Sequence, residues 1–123
     1  MTSFGRTQIA FQVDAGYLRV TCRGDFPSKP YREMLMAIRD AATEAGVSRI
    51  LVDAVAVAAP SQPLDRFWFG SAVAELFHGG AFKVALLVSP EPLDKLGEDT
   101  AVNRGARLLV TGEEEAALAW LTR

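Results

Sequence analysis

The chain is poor in the residues that build chemistry into small proteins: it has one cysteine, Cys22, and one histidine, His78. A lone cysteine has no mate for a disulfide, and a lone histidine beside it leaves no His/Cys cluster for zinc. Neither a metal nor a cofactor is expected. An excess of charge of one sign is missing too. Thirteen Lys and Arg against fifteen Asp and Glu give a formal net charge of −2, so nothing resembles the basic surface that nucleic acid draws, and nucleic acid is not an expected partner. Half of the residues are hydrophobic, yet the apolar stretches are too short or too interrupted to span a bilayer. The opening Met1-Thr-Ser-Phe-Gly-Arg-Thr-Gln8 lacks the apolar core of a signal peptide. The expectation is a cytoplasmic protein that does not insert into membranes.

What is present is ordinary globular material. At 123 residues the length suits one domain, expected to cover 1–123, with a core that buries about two thirds of the unfolded chain's surface. The organising stretch is Arg49-Ile-Leu-Val-Asp-Ala-Val-Ala-Val57. Its nearly unbroken apolar run, rich in β-branched residues, predicts a central strand covered on both faces. The turn Ala58-Ala-Pro-Ser-Gln-Pro63 follows. Before it, Gln8 to Asp14 and Tyr17 to Cys22 alternate across the Ala15-Gly16 turn as a β-hairpin. Tyr31, Met34, Leu35, Ile38, Ala41, Ala42 and Ala45 then recur at helical spacing between Pro30 and Gly46, with Arg32, Glu33, Arg39, Asp40 and Glu44 opposite.

Beyond the central strand a second helix begins near Leu64, where Ser61 or Gln62 can cap and Pro63 can occupy the first turn, and Gly79-Gly80 stops it. Its apolar residues outnumber one face. Trp68, Phe69, Ala72, Val73 and Leu76 form a broad stripe expected to cover the sheet, leaving Phe67 and Phe77 to project elsewhere. Ala81 to Val88 is a second buried strand, Leu93 to Arg104 a weak polar helix ended by Gly105, and Leu108 to Val110 a short strand. Thr111-Gly-Glu-Glu114 fits a capping box for a last helix from about Glu113 to Leu121. The order β-β-α-β-α-β-α-β-α predicts an α/β fold: a mixed, mostly parallel sheet with an N-terminal hairpin and about four helices.

Four residues are candidates for a ligand or partner cleft. Asp53, near the carboxyl end of a buried strand, needs hydrogen-bond donors; it either orients a ligand or accepts backbone amides from the following loop. Ser61 is a helix cap, since no basic residue stands near it in sequence to activate a nucleophile. Phe67 lies near the start of the second helix, close to where ligands bind in open α/β sheets. Arg104 either counters a helix dipole or forks onto an anion. The cleft would be lined by Phe67 and the Ala58 to Gln62 loop, with Asp53 at its floor. His78 and Cys22 read as structural, and no catalytic constellation is present.

Taken in order, the N-terminal hairpin, the following helix, Ile50-Leu-Val-Asp53, the aromatic helix, Lys83-Val-Ala-Leu-Leu-Val88, Asn103-Arg-Gly105 and the ending Glu113-Glu-Glu-Ala-Ala-Leu-Ala-Trp-Leu121 resemble the SpoIIAA-like branch of the STAS domains. The resemblance covers about Ile9 to Leu121 and implies a mixed sheet with helices on its faces and a non-enzymatic regulatory or protein-interaction role. Anti-sigma-factor antagonists carry an Asp-Ser-(Ser/Ala)-Gly-like segment after the central strand. Here Pro60-Ser61-Gln62-Pro63 stands in its place, so the phosphorylatable serine is not carried over. The alternative is a small carrier of an apolar or lipid-like ligand, suggested by the surplus aromatics and the resemblance of this fold to Sec14-type domains. That surplus also predicts a homodimer through the Phe67/Phe77 side of the second helix.

Overall fold

The computed structural model describes residues 2–58, 63–78, 81–89, 102 and 105–123. They form a six-stranded mixed sheet whose spatial order follows the chain: β1 (Thr2–Phe4), β2 (Thr7–Asp14), β3 (Tyr17–Gly24), β4 (Arg49–Val57), β5 (Lys83–Leu87) and β6 (Leu108–Thr111). The first three strands are antiparallel, and β3 to β6 run parallel. Three helices are seen among the described residues: α1 (Tyr31–Ala45), α2 (Pro63–Leu76) and α3 (Glu114–Thr122). The weak helix expected over Leu93 to Arg104 lies outside the described residues, apart from Val102.

Strand β1 is an addition to the expected hairpin. Gly5, with φ 61°, lets the chain reverse so that Phe4 pairs with Thr7 and Thr2 with Ile9. Gly24 is required for a different reason: a Cβ there would lie 2.1 Å from the Arg6 carbonyl oxygen. Helix α1 ends as its sequence predicts, with Gly46 left-handed and the Val47 amide donating to the Ala42 carbonyl at 3.0 Å.

The helices divide between the two faces of the sheet. Ile50 and Val52 join Leu18, Val20, Val84 and Leu108 under α1 and α2, which contribute Met34, Leu35, Ile38, Ala42 and Val73, with Phe77 just past the end of α2. The alternate residues Leu51, Ala85 and Leu87 meet Ala117 and Leu121 of α3 on the opposite face. Strand β4 is thus buried on both sides over Ile50 to Val52, as its apolar run implies, whereas the second half of the run is not: Val55 is 48% exposed and Ala56 is exposed too. Tyrosine and phenylalanine rings fill the gap between the helices and the loop before α1: Phe69 lies 5.7 Å from Phe26 and 6.4 Å from Tyr31 between ring centroids.

Helix α2 sits at a different rotation from the one its sequence suggests. Phe77 is 2% exposed and packs edge-on against Phe82 with centroids 5.4 Å apart, whereas Trp68 is 50% exposed. The inward line is Phe69, Val73 and Phe77, spaced four residues apart. The physical reason is that the apolar residues of the helix are not confined to one side, which leaves several apolar stripes to compete for the sheet. The expected dimer contact through Phe77 is corrected accordingly, because that ring is core.

Candidate interaction site

Asp53 faces α3. Residues Ile50 and Val52 point toward α1 and α2, so the alternation puts Leu51 and Asp53 on the other side. Directly after Asp53 the pairing of β3 with β4 shifts: Thr21 faces Asp53, but Arg23 faces Ala56, so β4 carries one extra residue. The Asp53 carboxylate accepts the Val55 amide at 3.3 Å inside this bulge. Its other oxygen meets the Arg19 guanidinium at 3.1 Å, and the same Arg19 nitrogen reaches Glu114 at the start of α3 at 2.5 Å. Glu114's hydrogen bond, against the opposing effect of burial, holds Arg19 above its ordinary value. A guanidinium shared by two carboxylates and a carboxylate spent on a bulge amide tie β3, β4 and α3 together.

This strap changes two expectations. The Thr111–Glu114 capping box does not form, because Glu114 is drawn to Arg19. The Thr111 hydroxyl oxygen instead accepts the Glu113 amide at 3.2 Å, and Glu113 occupies the cap position without a side-chain bond. Of the cleft expected between Asp53 and Phe67, the described residues put Asp53 on the sheet face opposite α2, so these two are not brought together, and its expected lining beyond Ala58 lies outside the described residues. Ser61 and Arg104 lie outside the described residues. Sequence reasoning passed over Arg19, whose signal was a cation alternating with the buried Leu18 and Val20.

Phe67 is half-buried and stacks edge-on against Trp68 with centroids 5.2 Å apart. Beside them, Leu64 is 60% and Trp68 50% exposed, and together they form an apolar outward stripe on α2. The stripe borders an open groove of about 510 Å³ between α1 and α2, lined by Tyr31, Arg32, Trp68, Ser71, Glu75 and His78 among others. Arg32 and Glu75 cross it in a forked ion pair of 2.9 and 2.5 Å. This pair holds the Glu75 carboxyl below and the Arg32 guanidinium above their ordinary values. The Ser71 hydroxyl is buried at the groove wall with no hydrogen-bond partner among the described residues.

Cys22 lies in the core under α1, where burial first and the Asp53 charge second push its thiol up to about 12. Among the described residues no three His, Cys, Asp or Glu side chains gather as a metal cluster, and no helix is long and apolar enough to cross a membrane.

No protein-family model matches the chain, and no curated protein does. Solved structures do. An anti-sigma factor antagonist from Mycobacterium paratuberculosis superposes with a TM-score of 0.66 at 11% identity, covering 100% of both chains. An uncharacterized protein with a SpoIIAA-like fold from Shewanella loihica PV-4 superposes with a TM-score of 0.54 at 18% identity, covering 98% of both. The mixed sheet, its N-terminal hairpin and the placement of the helices are the SpoIIAA-like fold of the STAS domains.

Proposed function

We propose that the chain is a non-enzymatic regulatory module that acts through protein contacts made by the outward stripe of α2. The observation that carries this reading is Trp68, half exposed beside Leu64 on a helix whose inner side is already filled by Val73 and Phe77. Large side chains left outside a satisfied core favour an interface, and tryptophan is the residue most often found at the energetic centre of one. The likeness of the fold to an anti-sigma factor antagonist supports a regulatory use. The proline-flanked Ser61 supports a module whose contacts are not switched by phosphate at that serine.

The groove beside the stripe suits a partner's polar and apolar side chains. An acyl chain laid in it would desolvate the Arg32–Glu75 pair without replacing its hydrogen bonds, so a lipid-like cargo fits less well. The homodimer expected from the sequence would use Leu64 and Trp68, since Phe77 is buried.

The test compares the wild-type chain with Trp68→Ala in affinity capture from its native cell, followed by calorimetry on each purified partner. The expected outcome is a partner whose affinity falls by about thirtyfold or more in the variant, the effect of losing one hot-spot tryptophan. Partners that bind both forms alike would remove α2 from the interface.

A further inference from the structure

The two edges of the sheet are finished differently. At one, β6 keeps no residue exposed. At the other, β1 covers only the first part of β2, its pairing running from Phe4 with Thr7 to Thr2 with Ile9. Among the described residues, no strand pairs with the outer side of Ala10 to Asp14.

The two hairpins fix which backbone groups this leaves. Each closes through a two-residue turn, Gly5-Arg6 between Phe4 and Thr7 and Ala15-Gly16 between Asp14 and Tyr17. The pair flanking such a turn exchanges both backbone hydrogen bonds, and bonded pairs then alternate along the ladder. Asp14, Gln12 and Ala10 therefore turn their amides and carbonyls to β3, whereas Thr7, Ile9, Phe11 and Val13 turn theirs outward. Strand β1 takes those of Thr7 and Ile9. Phe11 and Val13 each keep an amide and a carbonyl at the edge.

Their side chains are exposed as well. Phe11 is 39% and Val13 58% exposed, and they stand opposite Val20 and Leu18 of the core, on the side of the sheet that carries α1. Gln12 and Asp14 alternate to the other side, that of Arg19. Asp14 supplies the only charge from Ala10 to Asp14, and its carboxylate accepts the Gln12 carboxamide at 3.0 Å. Natural sheets blunt their edges with lysine, proline, bulges or brevity. Ala10 to Val13 has none of these, in a strand of eight residues whose register with β3 is unbroken.

We propose that the outer side of Phe11 to Asp14 receives an extended segment of a protein partner, which joins the sheet as a further strand. Laid antiparallel, the guest exchanges backbone hydrogen bonds with Phe11 and Val13. It sets a β-branched or aromatic side chain beside each of them and a polar one beside Gln12, and Asp14 favours a lysine or arginine opposite it. From its amino end the guest reads basic, apolar, polar, apolar. A second copy of this chain fits less well. Two β2 strands placed antiparallel with Phe11 opposite Val13 would set the second copy's Asp14 beside Ala10, in line with Thr2, and its Ala15-Gly16 turn would run into β1. The edge shares no residue with the α2 stripe, so the two surfaces stand or fall separately.

The test adds the peptide acetyl-Thr-Lys-Val-Thr-Val-amide to the full chain at millimolar concentration and follows the backbone amides by NMR. In the peptide-free protein the Phe11 and Val13 amides should exchange with solvent quickly, and those of Ala10 and Gln12, bonded to β3, slowly. The peptide should slow exchange at Phe11 and Val13 and give its largest shifts between Ala10 and Asp14. Val13→Pro removes an outward amide and leaves the bonds to β3 intact, while Val13→Lys keeps the backbone and replaces the apolar contact by a charge. Each should weaken binding about tenfold or more, the equivalent of about 1.4 kcal/mol. Trp68→Ala, on the α2 stripe, should change the affinity less than about twofold. Slow exchange at Phe11 and Val13 without peptide, shifts elsewhere or none, or a Val13 variant that binds as tightly as wild type each overturn the proposal. So does tighter binding of the same peptide with glutamate in place of lysine. Protection of both amides that grows with protein concentration alone overturns it too, by assigning the edge to a second copy.

Discussion

Helices α1 and α2 lie side by side on one face of the sheet, yet only α1 declares its inner side. In α1 the buried residues are Met34, Leu35, Ile38 and Ala42, and the opposite side carries Arg32, Arg39, Asp40 and Glu44. One rotation satisfies that pattern. In α2 apolar residues continue almost round the cylinder, through Phe67, Trp68, Phe69, Ala72, Val73, Leu76 and on to Phe77, so periodicity permits several rotations. Contact with α1, Phe26 and Phe82 selects the one with Val73 and Phe77 inside and Trp68 outside. Apolar spacing identifies a core face only where polar residues occupy the other one. Where they do not, the surplus apolar side chains left outside are the candidate docking surface.

The largest expected effect would break this comparison most directly. Phe77→Ala should cost about 3–5 kcal/mol in denaturant unfolding, the usual range for deleting a buried phenylalanine, while Trp68→Ala costs less than about 1 kcal/mol. The reverse ranking would restore the rotation read from the sequence and remove the docking stripe. Next comes Ile38→Ala, which removes the centre of the unambiguous α1 stripe and should cost about 2–5 kcal/mol. An Ile38 effect as small as that of Trp68 would mean that α1 is no better seated than the outside of α2.

Cys22 sharpens the comparison from beneath the two helices. A thiol raised from 9.0 to about 12 contributes stability that is intact below pH 9 and is lost as pH rises toward 12. In the native protein at pH 8 an alkylating reagent should leave Cys22 unmodified, and unfolding should make it react at the rate of a free thiol. Rapid native alkylation would show that the layer under α1 and α2 opens readily. The smallest effect belongs to the ion pair between the helices: Arg32→Gln should barely move the melting temperature, because both groups face water and salt screens them. A marked, salt-insensitive loss would show that the pair seats α2 against α1.

Several elements were legible because each is decided by residues close together in sequence. The β2–β3 hairpin follows from its alternation and Gly16, α1 from its stripe between Pro30 and Gly46, and β4 from an apolar run too long for one exposed face. Strand β1 was not legible, because three residues, Thr2 to Phe4, are too few to show a period, and their pairing depends on Gly5 turning them onto β2. Asp53 was legible as a residue in need of donors, but its partners were not. Glu114 fits a capping box by local spacing and is taken instead by Arg19, a charged partner that only the packed sheet brings within reach.

By itself the sequence determined the alternation of strands and helices and the double burial of the first half of β4, since spacing, turn residues and apolar runs act over a few neighbours. Tertiary structure alone decided the rest. It turned Asp53 to the face away from α2, buried Phe77 in place of Trp68, and left Phe11 and Val13 on the part of β2 that β1 does not reach. Each of these depends on which segments, distant along the chain, become neighbours in the sheet, and a one-residue change of register or a third of a turn of a helix would reverse it.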